Sequence, residues 1–568
     1  MHNFWKNFWH LSKPYWTSED KWIALALLSA VIYLNVLQVK LLVVFNYWQQ
    51  AFYNSLQAFQ MRFVVLSLIE FVIILILAII IFTYINYFGG LLTNRWRKWM
   101  THQYVSQWLD HHVAYSMQML SKRMDNPDQR ISQDLSEFPA LILNLFSGLF
   151  NSLLTLFSFS IILWKLSGDL SFIAFHKPVV VHGFMFWATL IYAGIGTWLI
   201  GKIGMNLIKL NYQQEQFNAN FRFGLIRVRE SSEQIALYQG QKTEIQTLFK
   251  LFEPVFKNFY DTIVVQKNLN FFINGYNLMI QVVGILIALP KYIREKLEFG
   301  YLMQVSNAFE RVVNALSFIV FSFTTIANLR AVIWRLTEFN AFMIEAQNEN
   351  SLKNIQITAN SNNAIYIKNL TLSLPRHKDV ALTQLLNIDF KQSEHVLITG
   401  KYGSGKSTLL RALANIWVYG DGNIQLPEGK KLFLPQKPYF PLGTLKQALL
   451  YPDNDSKLNP DYSDENIEFI LDKCGLHYFK QYLHQVRYWQ MEFSLGEQQL
   501  IAFVRIFLMK PDWVFLDEAT SALDEDTEEK MYGLLQTHFP HMTMISVGHR
   551  SSLKKFHQKE VYIEKQER

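Results

Sequence analysis

Gly400-Lys401-Tyr402-Gly403-Ser404-Gly405-Lys406-Ser407-Thr408 has the spacing G-x-x-x-x-G-K-[ST] of a phosphate-binding loop. Ahead of it, Val396-Leu397-Ile398-Thr399 reads as a short buried strand. After it, Leu409-Leu410-Arg411-Ala412-Leu413-Ala414 reads as a helix. A chance glycine-rich loop lacks that strand–loop–helix setting. The glycines let backbone N–H groups close around phosphate oxygens, and the helix N-terminus adds a partial positive charge. Residues Gly400 to Thr408 are therefore expected to cradle a nucleotide. Lys406 is directed at the β- and γ-phosphates and Ser407 at a Mg²⁺ ion.

About 110 residues further on, Val514-Phe515-Leu516-Asp517-Glu518 is an apolar strand that ends in two carboxylates. Paired with the glycine loop, this is the Walker B pattern. Asp517 is expected to hold Mg²⁺, and Glu518 to polarise the water that attacks the γ-phosphate.

The rest of the chain is too long and too apolar for a nucleotide domain alone. It has 568 residues, half of them hydrophobic and only 17% charged, with a mean hydropathy of +0.07. The apolar residues concentrate before about residue 345, as when a membrane part precedes a soluble one. The net charge of +7 is not gathered into Arg/Lys runs with interleaved aromatics, so it points to basic loops beside a membrane and not to nucleic acid. The single cysteine, Cys474, excludes a disulfide framework or a cysteine metal site within one chain.

Six segments are long enough to span about 30 Å of hydrocarbon as helices. They run 22–45, 63–88, 139–164, 179–200, 269–290, and from 305 past 328. Lys6, Lys13 and Lys21, then Arg95, Arg97, Lys98, Lys122, Arg123 and Arg130, then Lys202 and Lys209 place the intervening loops in the cytoplasm. Lys291, Arg294 and Lys296 fall on the other side, against the rule. Two connections, between spans two and three and between spans four and five, hold tens of polar residues with helical patterning, which predicts long helices reaching into the cytoplasm. Phe4, Phe8 and Leu11, beside Trp5 and Trp9, predict an interfacial helix over residues 1–20 and not a secretory signal. Asn307, Glu310, Arg311, Asn314 and Ser317 form a polar stripe on the sixth span. Glu70 and Lys40 are lone charges in the second and first. A polar stretch over 346–363 reads as a linker.

Phe493-Ser494-Leu495-Gly496-Glu497-Gln498-Gln499, opening a helical run, resembles the signature of ABC proteins, usually L-S-G-G-Q. Leu495 stands for the first glycine and Glu497 for the glutamine. The resemblance implies that Ser494, Gly496 and Glu497 meet the nucleotide of an opposite subunit. It extends in order along the chain. Gln436 matches the Q-loop residue that contacts Mg²⁺ and water, Asp524 the D-loop aspartate, and His549 the switch histidine near the γ-phosphate. Leu374 stands where the family usually stacks an aromatic residue on the adenine.

Two motifs narrow the resemblance. Asp125-Asn126-Pro127-Asp128-Gln129-Arg130-Ile131 and Arg229-Glu230-Ser231-Ser232-Glu233-Gln234-Ile235-Ala236-Leu237-Tyr238 are similar to motifs of one exporter-type branch. That branch holds the peroxisomal fatty-acyl transporters and YddA-type fused permease-ATPases, and the SbmA/BacA permeases share its membrane half. The fold this implies is a membrane all-α six-helix exporter-type transmembrane domain over 21–345, followed by an α/β P-loop ABC nucleotide-binding domain over 364–568. The implied activity is ATP-hydrolysis-driven transport of a peptide, corrinoid or acyl-type substrate across the bacterial inner membrane. ATP and Mg²⁺ would be its cofactors, the nucleotide domain would be cytoplasmic, and a homodimer would complete both ATP sites. The rival reading is a nucleotide-gated channel or sensor with little turnover. The intact set of Lys406, Asp517, Glu518 and His549 favours hydrolysis.

Overall fold

A computed structural model describes residues 2–120, 126–174, 177–351, 354–375, 377–453 and 459–566. Lys122, Arg123 and Asp125 lie outside these. The chain forms two compact units, residues 1–107 with 125–341 and residues 108–124 with 342–568.

The first unit is helical. Helix α1 (His2–Trp16) leaves Trp5 and Trp9 exposed and buries Leu11 and Tyr15, the latter stacked on Trp96 at 5.2 Å. Then come α2 (Lys21–Gln57) and α3 (Met61–Leu109). After the short α4 (Val113–Leu120), which belongs to the second unit, α5 (Leu135–Ser167) begins beyond a π-helical turn over Arg130–Asp134. Helices α6 (Phe184–Glu230), α7 (Ser232–Leu237), α8 (Gln241–Glu295), α9 (Phe299–Leu316) and α10 (Phe323–Ser351) follow. Among the described residues five helices are long and apolar enough to cross a membrane. The 49 residues of α3 amount to about 74 Å at 1.5 Å per residue, more than twice the hydrocarbon thickness. The expected long extensions are thus continuous helices.

Four expectations are corrected, the last of them in the second unit. The fourth span starts at Phe184, not at residue 179. Residues Lys177–His182 form strand β2, paired antiparallel with β1 (Asp169–Ala174). The β-branched run Val179-Val180-Val181, set between Pro178 and Gly183, suits a strand once a partner lies beside it. The sixth span is not one helix. Turns at Ser317 and Ser322 divide it around Phe318–Phe321, although bonds such as Ser317 N–H to Val313 O (2.9 Å) and Ile326 N–H to Ser322 O (2.9 Å) carry the helical path across. The polar stripe is not uniform either: Asn314 is exposed, Ser317 is fully buried, and Asn307 accepts from Asn46 Nδ2 at 3.3 Å. Glu70 and Lys40 are exposed.

In the second unit, residues 346–363 hold the end of α10 and strand β3 (Ile355–Asn360) where a linker was expected. Strand β3 pairs parallel with β8 (Gly420–Pro427). The segment 108–124 also belongs to this unit. Met119 of α4 packs on its core, and Ser116 Oγ donates to Asn350 Oδ1 at 2.7 Å.

The α/β expectation holds. Strands β7 (Val396–Thr399), β9 (Lys431–Leu434), β12 (Trp513–Asp517), β13 (Thr543–Val547) and β14 (Lys559–Tyr562) form a parallel sheet in the order β14-β7-β13-β12-β9. Val514, Phe515, Leu516, Met544 and Ile545 are wholly buried in it, the near-continuous apolar run that a parallel strand covered on both faces requires. A second sheet, β3-β8-β4-β5, adds β4 (Ala364–Leu374), β5 (His377–Ala381) and β6 (Leu386–Lys391), the last paired with β4. Two short strands, β10 (Gly443–Thr444) and β11 (Val486–Arg487), pair apart from both.

Candidate functional site

The parallel sheet gathers the motif residues at the C-terminal ends of its strands, where such sheets bind ligands. The loop after β7 turns into α11 (Lys406–Leu413). Gly400 has φ +151° and Gly405 φ +93°. A Cβ at Gly400 would stand 2.3 Å from Ile563 O, and one at Gly405 2.7 Å from Thr383 Cγ2, so only glycine closes this cradle. Lys406 is buried, and its Nζ donates to Gly400 O (2.9 Å) and Lys401 O (3.1 Å). Burial lowers the Lys406 ammonium below the usual lysine range, while Glu518 and Asp517 act in the opposite sense. Ser404 and Thr408 are buried, whereas Tyr402 is 97% exposed at the loop tip. Ser407 Oγ donates to Asp517 Oδ1 at 2.8 Å. Burial raises the Asp517 carboxyl, and the Ser407 bond works against it. A hydroxyl and a carboxylate side by side at a strand end are the oxygen donors Mg²⁺ takes alongside water and phosphate, so the residues fit that ion.

Glu518, the next residue, has φ +48°, a strained value for a non-glycine residue. Its amide donates to Val547 O at 3.0 Å. Its Oε2 accepts from Gln436 Nε2 at 2.8 Å, and its Oε1 lies 3.9 Å from His549 Nε2. Gln436 and His549, expected from the family resemblance and 82 and 31 positions from Glu518 in the chain, therefore converge on its carboxylate.

Ser494 caps α12 (Leu495–Met509). The Glu497 amide donates to Ser494 Oγ (3.4 Å), the Ser494 amide and hydroxyl donate to Glu497 Oε2 (2.8 Å each), and Tyr478 donates its hydroxyl to Glu497 Oε1. Burial pushes the Glu497 carboxyl up, but the Tyr478 and Ser494 bonds outweigh it and hold it below the usual range. Glu497, expected to meet nucleotide, thus holds the signature serine. Gly496 would bring a Cβ to 3.4 Å from Ala522 O. Asp524 caps α13 (Glu525–His538), accepting from Thr527 N–H at 2.7 Å.

Sequence reasoning singles out none of Tyr478, Gln499, Glu528 or Arg550. Arg550 donates to Leu523 O (2.8 Å) and Ser521 O (3.0 Å), holding the loop before Asp524. Glu528, fully buried, accepts from Thr520 (2.6 Å) and Ser552 (2.6 Å). The place of Arg550 beside His549 was the one available signal.

Residues 11–293 match the family model of ABC transporter transmembrane region 2, and residues 383–521 that of the ABC transporter. ABC transporter D family member 2, chloroplastic, from Arabidopsis thaliana is 33% identical, over 99% of this chain and 86% of its own length. The chain belongs to the ABC transporter family. Within it, the chain falls in the D-type half-transporter branch. The inner membrane ABC transporter ATP-binding protein YddA of Escherichia coli is 29% identical over 95% of this chain and 94% of its own. In fold, this ABC transporter matches a bacterial Atm1-family ABC exporter with ATP bound, at a TM-score of 0.73 and 14% identity, covering 95% of this chain and 94% of the other. It is a membrane-spanning transporter with an ATP-binding, ATP-hydrolysing domain.

Proposed function

We propose that this chain is one half of a homodimeric transporter that hydrolyses ATP to move a peptide, corrinoid or acyl-type substrate across a bacterial inner membrane, with its nucleotide domain in the cytoplasm. The observation that carries the reading is the convergence of Gln436 and His549 on Glu518, next to an Asp517–Ser407 pair and a glycine cradle. That set favours turnover over a gated channel.

In this reading the backbone from Gly400 to Thr408 and the Lys406 ammonium bind the phosphates of ATP. Ser407, Asp517 and Gln436 would hold Mg²⁺, which when bound would neutralise phosphate charge. Glu518 orients and polarises the attacking water, and His549 stands by the γ-phosphate. Ser494 and Gly496, at the start of a helix, serve the nucleotide held by the other copy, with Asp524 beside them. Closure of the two nucleotide domains then biases the membrane helices between two states.

The test is uptake into inside-out and right-side-out vesicles of a panel of labelled peptides, corrinoids and acyl thioesters. ATP-dependent accumulation of one class, in one orientation, and its loss in Glu518→Gln are expected. Wild-type transport by Glu518→Gln would exclude hydrolysis as the driver.

A further inference from the structure

Gln499, the last residue of the stretch that resembles the signature, lies on α12, only 4% exposed, and its side chain touches three other motifs. Its Nε2 donates to Gln436 O at 3.3 Å, to Ser521 Oγ at 3.1 Å and, in a longer contact, to Glu518 O at 3.5 Å. Its Oε1 accepts from the Ala522 amide at 2.8 Å. Gln498 turns the other way, to Gln490 O and Phe493 O. One amide thus bridges the loop carrying Gln436, the peptide after Glu518 and the segment leading to Asp524.

Two of these contacts are at the backbone carbonyls of residues that do the chemistry, Gln436 and Glu518. Glu518 keeps φ +48° between two fixed points, its amide on Val547 O and its carbonyl by Gln499. That conformation aims the carboxylate at Gln436 Nε2, whose own carbonyl Gln499 also holds. A non-glycine residue stays at such a φ only where its surroundings over-determine it. The same helix begins at Ser494, so a shift of the signature serine moves Gln499 as a rigid consequence.

We propose that Gln499 is a positioning residue of the ATPase: through its amide, the signature helix sets the aim of Glu518 and Gln436 in its own chain. The inference rests on the reading of Glu518 as the hydrolytic carboxylate.

The test uses the full-length protein in lipid nanodiscs, with steady-state ATPase and ATPγS binding as readouts. Gln499→Met keeps the volume and removes the hydrogen bonds. It is expected to lower kcat by roughly tenfold or more and leave KM for ATP and ATPγS affinity within about threefold, since the Lys406 loop is untouched. Gln499→Glu loses the donors at neutral pH but regains one when protonated, so its kcat relative to wild type is expected to rise as the pH is lowered. A Gln499→Met kcat within about twofold of wild type, while Glu518→Gln is inactive, overturns this proposal alone. A rise in KM that matches the loss in kcat also overturns it, because that marks general disruption. Wild-type ATPase in Glu518→Gln overturns the reading of Glu518 and this proposal together.

Discussion

Gln436 Nε2 donates to Glu518 Oε2 at 2.8 Å, joining the loop after β9 to the end of β12. The amide therefore fixes a carboxylate that is otherwise free to rotate about its side-chain torsions. Glu518→Gln replaces the proposed base with a group that cannot accept a proton from water. ATP hydrolysis by the purified transporter is expected to fall on the order of 10²–10⁴-fold with ATP binding retained. A phosphate-release assay beside equilibrium binding of labelled ATP checks both halves. Loss of binding together with hydrolysis would mean that Glu518 shapes the pocket and does not drive the reaction.

Lys406 presents a different outcome. Its ammonium is buried, and burial already lowers its proton affinity. Lys406→Ala is expected to remove the proposed charge-assisted contact to phosphate, worth about 1.5–3 kcal/mol, or roughly 10–100-fold in ATP affinity. Titration with a fluorescent ATP analogue measures it. An affinity unchanged in the variant would take Lys406 out of the phosphate site.

The glycine loop and the Walker B strand were legible because each is carried by local spacing. What a distant partner decides was not. The run Val179-Val180-Val181 is as apolar as a helix start, and it is a strand because β1 lies beside it. The Asn-rich stretch over 346–363 reads as a linker, yet Ile355 and Ile357 alternate along β3 against β8. Lys291, expected to stand against the charge rule for loops, donates its Nζ to Leu166 O (2.7 Å), a carbonyl at the end of α5 that Tyr301 also reaches at 2.9 Å. In the site, Gln498 and Gln499 are adjacent and identical in type. Only the phase of α12 sends one of them to Gln436, Glu518 and Ser521.

His557 gives a pH dependence to stability. Burial, with the His395 charge in the same sense, pushes it down to about 4, against the lift from its bond to Leu553 O. Tyr532 donates to Ser546 Oγ, leaving the Ser546 proton for His557 Nε2 (2.9 Å), and Nδ1–H is then free to donate to Leu553 O (2.7 Å). The neutral ring satisfies every one of these bonds. Between pH 6.5 and about 4 the unfolded chain binds the proton and the folded one does not. Stability is therefore present above pH 6.5 and is lost as the pH falls toward 4. The contribution is on the order of 2 kcal/mol, from about 1.4 kcal/mol per pKa unit discounted for partial exposure. Thermal unfolding across this range is expected to show a steeper acid loss in wild type than in His557→Asn. Parallel curves would remove His557 from the account.

Asp134 is buried between two arginines. Arg130 NH1 reaches its Oδ2 at 2.8 Å, while Arg335 Nε and NH2 grip Oδ2 and Oδ1 at 2.9 and 2.6 Å. The π-helical turn over Arg130–Asp134 brings the first pair together, and α10 supplies the second arginine. Neutralising the shared carboxylate removes the acceptor that both guanidinium groups bond. Asp134→Asn is expected to cost about 3–5 kcal/mol, because a buried ion cluster is most sensitive to losing one sign only. The triple variant Arg130→Met, Asp134→Leu, Arg335→Met removes both signs and is expected to recover most of that loss. Thermal unfolding of detergent-purified protein, followed by size-exclusion chromatography, compares the three. If Asp134→Asn and the triple variant melt alike, packing and not charge balance holds this junction, and the resemblance motif around Arg130 has a role other than ion pairing.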